Sequence, residues 1–240
     1  MAFQYSLLPF HFGPDPPPAI PIQSYVLLFI DSRWRRAAPK LINQPRGFVA
    51  QLLFALCFAV VWDLWQYWIH RLQHTYPFLW ETHKFHHSET ALNSSAQAKH
   101  HILNHILFIT LYPPVLLLFG SLTPHFIAIF VMFRIWGFIN HTNIRLSFGS
   151  LTPIISGPQW HRIHHSIYTE HHDKNFAAFF PFIDILFGTY YSPRKDEYPA
   201  TGLLSEGHPG ELRGAMAAPF LNIYNIAINR VSKKSSRVLN

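Results

Sequence analysis

The 240-residue chain has a single cysteine and few charged residues. One thiol, Cys57, excludes a disulfide framework, a thiolate zinc finger and a cysteine-bound iron–sulfur cluster. Charged residues make up 13% of the chain, whereas a typical soluble domain has roughly 25%. The chain therefore has too few charges to cover a large water-exposed surface. Its length fits one domain or one bundle of membrane helices, and it is too short for two ordinary domains.

Nucleotide- and nucleic-acid-binding motifs are also missing. No Gly-x-Gly-x-x-Gly or phosphate-binding loop occurs, so the chain is not equipped to bind its own dinucleotide reductant. The formal net charge of +7 comes without a helix-turn-helix or RNA-binding signature. Its basic residues instead flank apolar runs, as juxtamembrane charges do. We therefore expect a membrane partner and no nucleic acid.

Three long apolar runs follow a proline-rich N-terminus. The first, from Phe48 to Ile69, has Asp63 as its only charge and matches one bilayer crossing of about 20 residues. The second, from Ile102 to Phe119, is interrupted by two consecutive prolines, and the third, from Phe126 to Ile139, contains Arg134. The second and third runs are typical of a helical hairpin that turns at residues 120–124.

This arrangement predicts an all-α integral membrane helical bundle. A hairpin returns the chain to the face it left, so every dense histidine cluster lies at one membrane face. A single crossing would instead separate the clusters by about 30 Å of hydrocarbon. We expect an extended or interfacial N-terminal segment over 1–47, a membrane-embedded catalytic domain over 48–205 and a C-terminal tail over 206–240.

Histidine is unusually frequent and clustered: 15 of the 17 histidines lie between His70 and His172, counting both. Nine of them form one i, i+4 pair, two His-x-x-His-His triplets and one isolated histidine at the end of the third apolar run. The pair and the triplets each place several imidazoles within about one turn of helix. Clustered imidazoles repel when protonated and are costly to bury unpaired, so the pattern predicts metal ligands. The nine are His70, His74, His83, His86, His87, His141, His161, His164 and His165.

Nine ligands exceed the three or four that one catalytic zinc uses, so two ions are the economical interpretation. A haem would need only one or two axial histidines, which would leave the other histidines without a role. His101 and His172 are weaker candidates for a further ligand, and Asp173 is placed to orient the ring of His172. We expect no catalytic residue beyond the metal ligands.

The chemistry depends on which metal binds. Zinc would activate water and imply hydrolysis, whereas iron can activate O2 in a site kept away from water. Aromatic residues surround the clusters, which favours an apolar substrate and oxidation of a lipid C–H bond. The aromatic residues are Trp62, Trp65, Trp68, Phe85 and Trp160. Because no dinucleotide motif is present, electrons must come from an external donor.

The ordered boxes at 70–74, 83–87 and 161–165 resemble those of the fatty acid hydroxylase and sterol desaturase superfamily of integral membrane di-iron oxygenases. The resemblance covers about residues 48–205 and extends through His172-Asp-Lys-Asn175-Phe and Asp184-Ile-Leu-Phe-Gly188. It implies two iron ions, O2 as co-substrate and a fatty acyl, sphingoid or sterol substrate. It also implies the nine histidines as ligands and a cytochrome b5-like or ferredoxin-like electron donor. It adds Asn175 to the supporting candidates.

Two other functions stay open at this point. One is a membrane zinc hydrolase that uses the same imidazoles, with Glu81, Glu89 or Glu170 as the carboxylate such enzymes need. The other is a noncatalytic metal-binding or transport protein. The expected location is the endoplasmic reticulum membrane in a eukaryote or the inner membrane in a bacterium, with the metal site on the cytoplasmic side.

Overall fold

A computed structural model describes residues 45–119, 124–203 and 212–238, and these residues form helices joined by loops, without a named strand. The predicted N-terminal segment lies almost wholly outside the described residues, as does most of the predicted turn at 120–124. The helices are α1 (Phe48–Thr75), α2 (Pro77–His87), α3 (Ile102–Leu111), α4 (Pro113–Leu118), α5 (Pro124–Asn140), α6 (Pro158–His164), α7 (Phe182–Leu186) and α8 (Leu212–Val238).

Helix α1 is, within the described part of the chain, the one helix long and apolar enough to cross a membrane, judged by length and composition. Its 28 residues span about 42 Å. Large apolar side chains on its first turns are exposed, including Phe48, Leu52 and Leu56. The helix continues past Ile69 to Thr75, so it carries the first histidine box beyond the apolar run.

Prolines set several helix boundaries, because proline has no N–H to donate and fits best in a first turn. Helix α3 ends at Leu111 and α4 begins at Pro113, which confirms the predicted break in the second apolar run. Helix α5 leaves an apolar stripe exposed at i, i+4, i+8 and i+11, the pattern of one helical face. The stripe comprises Ile127, Val131, Ile135 and Phe138.

Aromatic rings from α1, the end of α4 and α5 form much of the core. The ring of Phe58 stacks on Phe126 with centroids 4.1 Å apart and meets Phe119 edge-on at 5.1 Å. One turn further along α1, Trp62 lies 4.7 Å from the ring of Tyr112. Such pairs add roughly 0.5–1.5 kcal/mol each to the free energy of burial. They fix α1 against the α3–α5 region.

Two buried carboxylates hold the loop of residues 176–180 against α1. Asp63, the single charge in the first apolar run, accepts hydrogen bonds from three consecutive backbone N–H groups at 2.6–3.0 Å. The donors are Ala178, Phe179 and Phe180. Asp184 accepts from the N–H groups of Phe176 and Ala177 at 2.7 and 2.9 Å. A charged side chain inside an apolar helix is thus explained by the backbone donors it satisfies.

The predicted C-terminal tail contains a helix, α8, that packs on α2. Pro219 lies inside this helix and cannot donate to the preceding turn. The carbonyl of Met216 in that turn accepts a hydrogen bond from His101 Nε2 at 2.9 Å. Asn222 Nδ2 donates to Glu81 Oε2 at 3.0 Å, and Glu81 also pairs with Lys84 at 2.7 Å.

We expect Asn222→Ala to destabilise the protein by about 1–2 kcal/mol, because a hydrogen bond to a buried carboxylate is lost. Thermal unfolding of the two proteins in the same detergent measures the change. Asn225→Ala is the matched control, since Asn225 is exposed on the same helix. Equal unfolding temperatures for Asn222→Ala and Asn225→Ala would contradict the role assigned to this contact.

Candidate metal centre

The nine histidines of the sequence pattern converge into two neighbouring groups. In each group, one ligand atom from every ring lies within 4.8 Å of the others. Group A contains His70, His74, His83, His87 and His164. Group B contains His86, His141, His161 and His165. The structure therefore brings the predicted ligand set together, while the ligand role itself stays a prediction.

Helical geometry divides the second and third boxes between the groups. On α2, His83 and His87 lie four residues apart and face group A, whereas His86 points to group B. The third box does the reverse: His161 and His165 face group B and His164 faces group A. The rings of His87 and His165 stack with centroids 4.3 Å apart, so the two groups are adjacent.

Four backbone carbonyls orient the rings through their Nδ1 atoms. A carbonyl oxygen only accepts, so each ring nitrogen must donate. The four bonds are His70 to Phe176 at 2.9 Å, His86 to Ala96 at 3.0 Å, His141 to Gly137 at 2.7 Å and His164 to Lys174 at 2.8 Å. Each bond leaves Nε2 as the unprotonated nitrogen of a neutral ring, the arrangement that metal-bound histidines show.

The Nε2 atoms then face one another, and neither carries a proton that could form a hydrogen bond between them. His86 Nε2 and His141 Nε2 are 3.1 Å apart, and both rings spend their N–H on a carbonyl. Two lone pairs at this distance repel unless a cation lies between them. Nitrogen ligands about 2.0–2.1 Å from one ion lie roughly 3.0–3.4 Å from each other, so the spacing fits a shared metal.

Other contacts agree with this fit. His161 Nε2 lies 3.1 Å from His141 Nε2 in group B, and in group A His87 Nε2 lies 3.1 Å from His83 Nε2 and 3.2 Å from His74 Nε2. The buried Nε2 atoms of His70, His164 and His165 have no hydrogen-bond partner among the described residues. Buried polar atoms are nearly always paired, so these three nitrogens are available to bind a metal.

Burial keeps the rings neutral at physiological pH. It is the main cause that lowers the pKa of the six rings in the second and third boxes, and neighbouring imidazoles lower it further. These six are His83, His86, His87, His161, His164 and His165. Burial lowers the pKa of His141 to about 4, against the opposing effect of its bond to Gly137. Neutral imidazoles offer their lone pairs to a metal without first releasing a proton.

We expect the metal-free protein to lose stability in acid. The unfolded rings titrate near pH 6.5 and the folded rings lower, so the unfolded state binds more protons as the pH falls below about 6.5. Each ring then weakens folding by up to ~1.4 kcal/mol per pH unit until its folded pKa is reached. Unfolding temperatures of chelator-treated protein between about pH 8 and pH 4 measure this loss, and a flat profile would contradict it.

The weaker candidates lie outside both groups. His101 is fully buried, but its Nδ1 accepts from the Leu103 N–H and its Nε2 donates to the Met216 carbonyl. His172 is exposed. Asp173 Oδ1 lies 3.6 Å from His74 Nδ1, with its side chain 71% exposed. Asp173 is thus placed beside a ring of group A, and its role in orienting His172 stays a prediction.

Asn175 supports the site through the backbone. Its φ of 63° lies in the left-handed region, which asparagine tolerates better than most residues. Its Nδ2 donates to the carbonyls of Trp160 and Tyr191, and its Oδ1 accepts from the Tyr191 N–H. These bonds fix the backbone between the Lys174 carbonyl, which orients His164, and the Phe176 carbonyl, which orients His70.

Sequence reasoning missed the carbonyl partners and the two carboxylates behind them. The 176–180 loop carries the carbonyl that orients His70, and Asp63 and Asp184 hold that loop in place. A usable signal was present, since a lone aspartate in an apolar run is costly unless it serves a purpose. The carbonyls leave no such signal, because any residue type provides one.

The three glutamates considered for a zinc hydrolase belong to neither histidine group. Glu81 pairs with Lys84 and Asn222, and Glu89 pairs with Lys99 at 3.2 Å. Glu170 is exposed in a short 3-10 turn, Thr169–His171. Within the described ranges, neither group includes a carboxylate. The geometry therefore supports an all-imidazole metal centre better than the carboxylate-assisted site that a zinc hydrolase needs.

An open cavity with a volume of about 160 Å³ adjoins both groups. Histidines from the two groups line one end. At the other end, two or more helical turns away along α1 and α5, the walls are apolar. The histidines are His70, His83, His86, His141 and His161, and the apolar residues include Trp62, Phe108, Tyr112, Leu116, Phe130 and Phe133. An apolar chain that enters the space between these helices can therefore reach the imidazoles.

Comparison with known proteins places these features in a family. A family model described as fatty acid hydroxylase matches residues 55–189, more than half of the chain. The chain is 31% identical over 136 residues to an alkylglycerol monooxygenase of Danio rerio, a match that covers 56% of this chain and 30% of that protein. It is 29% identical over 161 residues to the ornithine lipid hydroxylase OlsE of Rhizobium tropici, covering 67% and 48%.

A sterol enzyme is also similar. The chain is 24% identical over 172 residues to a Delta(7)-sterol-C5(6)-desaturase of Nicotiana tabacum, covering 70% of this chain and 60% of that protein. The chain thus spans less than two thirds of the length of each of these relatives. No solved structure matches it significantly. The resemblance inferred from the histidine boxes is confirmed, and the chain belongs to the fatty acid hydroxylase family within the fatty acid hydroxylase and sterol desaturase superfamily.

Proposed function

We propose that the chain is a membrane-embedded oxidoreductase that uses O2 to hydroxylate or desaturate a lipid at a histidine-bound di-iron centre. The observation that carries this proposal is the pair of adjacent all-imidazole groups beside an apolar cavity. Relatives named as a monooxygenase, a lipid hydroxylase and a sterol desaturase support lipid oxidation as the reaction class.

Groups A and B would each hold one iron ion, and the two ions would supply the redox chemistry by which O2 oxidises a C–H bond. The protein's own residues prepare the site. Backbone carbonyls keep the Nδ1 atoms protonated and the Nε2 atoms directed at the metal positions. Apolar walls around Trp62 and Phe130 exclude water from the substrate end.

The exposed apolar surfaces of α1 and α5 support a membrane location. A lipid substrate would enter the cavity from the bilayer without crossing water. The endoplasmic reticulum or bacterial inner membrane, and a cytoplasmic histidine face, are part of this proposal. So is a separate cytochrome b5-like or ferredoxin-like donor.

Product analysis tests the reaction. The full chain is purified in detergent, loaded with iron and incubated with lipid, isotopically labelled O2 and a reducing ferredoxin system. Mass spectrometry should show either a labelled oxygen added to the lipid or a loss of hydrogen without added oxygen. The first result identifies a hydroxylase and the second a desaturase. Lipid cleavage that proceeds without O2 or reductant would contradict the proposal and favour a hydrolase.

A further inference from the structure

One arginine, Arg134, lines the cavity from the middle of α5. It shares a helical face with Phe130, Gly137 and His141, which line the same cavity at i−4, i+3 and i+7. The opposite face of α5 carries the exposed stripe that includes Val131 and Ile135. The only charge in the third apolar run is therefore directed inward, toward the space next to the histidines.

Within the described part of the chain, this guanidinium has no counter-ion in the cavity. Aspartate and glutamate are absent from the described residues that line the cavity. Among the described residues, none forms an ion pair or hydrogen bond with Arg134. Its charge acts on His100, His105 and Tyr112, which all line the cavity. Arginine stays protonated in proteins, and a half-buried cation that faces a cavity without a partner is unfavourable.

Two amide groups that line the same cavity also lack acceptors. Gln66 Nε2 and Asn104 Nδ2 are buried, line the cavity and have no hydrogen-bond partner among the described residues. The amide oxygen of Asn104 already accepts a bond from Gln73, so the amide nitrogen is the group left to donate. The cavity thus presents two amide donors that need an oxygen atom as a partner and two buried acceptors, Gln73 Oε1 and Asn140 Oδ1, that need a donor. Arg134 carries the only formal charge among the described residues that line it.

We propose that the cavity binds a lipid with an anionic group, a carboxylate or a phosphate, and that Arg134 determines this specificity by pairing with that group. The inference rests on the proposed lipid oxidation and adds the charge of the substrate. The planar guanidinium fork suits both anions, which it binds through two parallel hydrogen bonds. Gln66 and Asn104 would donate to remaining oxygens.

The placement also suits the reaction. Arg134 precedes His141 by seven residues, about 10 Å along the helix axis. An anion held at Arg134 leaves other bonds of the same molecule within reach of the histidines, and the apolar end around Trp62 receives hydrocarbon. A neutral sterol or glyceryl ether would leave the arginine unpaired, which is the physical basis of the discrimination.

Direct binding tests the inference without turnover. The full chain in neutral detergent is titrated with three chain-matched probes: palmitate, hexadecyl phosphate and the uncharged hexadecanol. We expect at least one anionic probe to bind about tenfold more tightly than hexadecanol. Arg134→Gln should reduce that ratio to about twofold or less with hexadecanol affinity unchanged, while Arg134→Lys retains part of it. Lys195→Gln removes an exposed charge outside the cavity and should keep the full ratio.

The outcomes separate the possibilities. Preference for palmitate alone identifies a carboxylate, and preference for hexadecyl phosphate alone identifies a phosphate. Equal affinity for all three probes, or an anion preference that survives Arg134→Gln, would overturn the inference. The titration contains no reductant, so it measures binding separately from turnover. An Arg134-dependent anion preference in a protein that oxidises no lipid would therefore refute the proposed function and leave the subsite standing. Equal oxidation of neutral and anionic lipids would do the reverse.

Discussion

Replacing His86 with alanine is expected to abolish O2-dependent lipid oxidation, with a loss on the order of a thousandfold or more. His86 is the one residue of the second box in group B. Its Nε2 lies 3.1 Å from that of His141, and its Nδ1 is fixed by the Ala96 carbonyl. Without it, group B keeps three imidazoles and the bound iron should fall from about two ions per chain to about one. Turnover and metal content are measured on the same preparation.

The matched control for this variant is His171→Gln. His171 is also buried and near the third box, but it belongs to neither group, and its nitrogens contact Ser166 Oγ and Glu197 Oε1. It should keep both ions and most of the activity. If His86→Ala retained turnover, or if both variants lost iron equally, the assignment of group B as a metal site would be wrong.

Removing the carboxylate of Asp63 should have the second large effect, on stability and iron retention together. Asp63→Ala leaves three backbone N–H groups, those of Ala178, Phe179 and Phe180, without their acceptor. We expect a cost of about 3–5 kcal/mol and an unfolding temperature lower by roughly 10 °C. The loop also presents the Phe176 carbonyl to His70, so group A should bind iron more weakly.

Two comparisons make the Asp63 result interpretable. Asp196→Asn removes a carboxylate that is exposed, and its unfolding temperature and iron content should match the unmodified chain. Asp184→Asn disturbs the adjacent N–H groups of Phe176 and Ala177 and should resemble Asp63→Ala. An Asp63→Ala protein as stable as Asp196→Asn would show that the loop does not depend on this carboxylate.

Much of the site was predictable because its signals are local. The i, i+4 spacing of His70 and His74 and the His-x-x-His-His triplets depend only on helical periodicity, and the structure places all nine rings together. The broken second apolar run was predictable for a similar reason, since consecutive prolines at the start of α4 end the preceding helix. The helical bundle followed from the same apolar patterning.

The supporting contacts could not be predicted because they join residues far apart in sequence. The His70 ring and the Phe176 carbonyl are 106 residues apart, and Asp63 and Phe180 are 117 apart. Asp63 and Arg134 were recognised as isolated charges in apolar runs, but only the structure shows that one meets backbone donors and the other faces the cavity. The position of α8 likewise depends on long-range contacts, from Asn222 to Glu81 on α2 and from Met216 to His101 at the start of α3.

The most direct measurement is the metal content of the full chain, produced in medium with excess iron and analysed by elemental mass spectrometry. Two adjacent all-imidazole groups predict close to two iron ions per chain, a number that falls to about one in His86→Ala. Zinc in place of iron under these conditions, or less than one iron ion per chain in the unmodified protein, would contradict a di-iron centre.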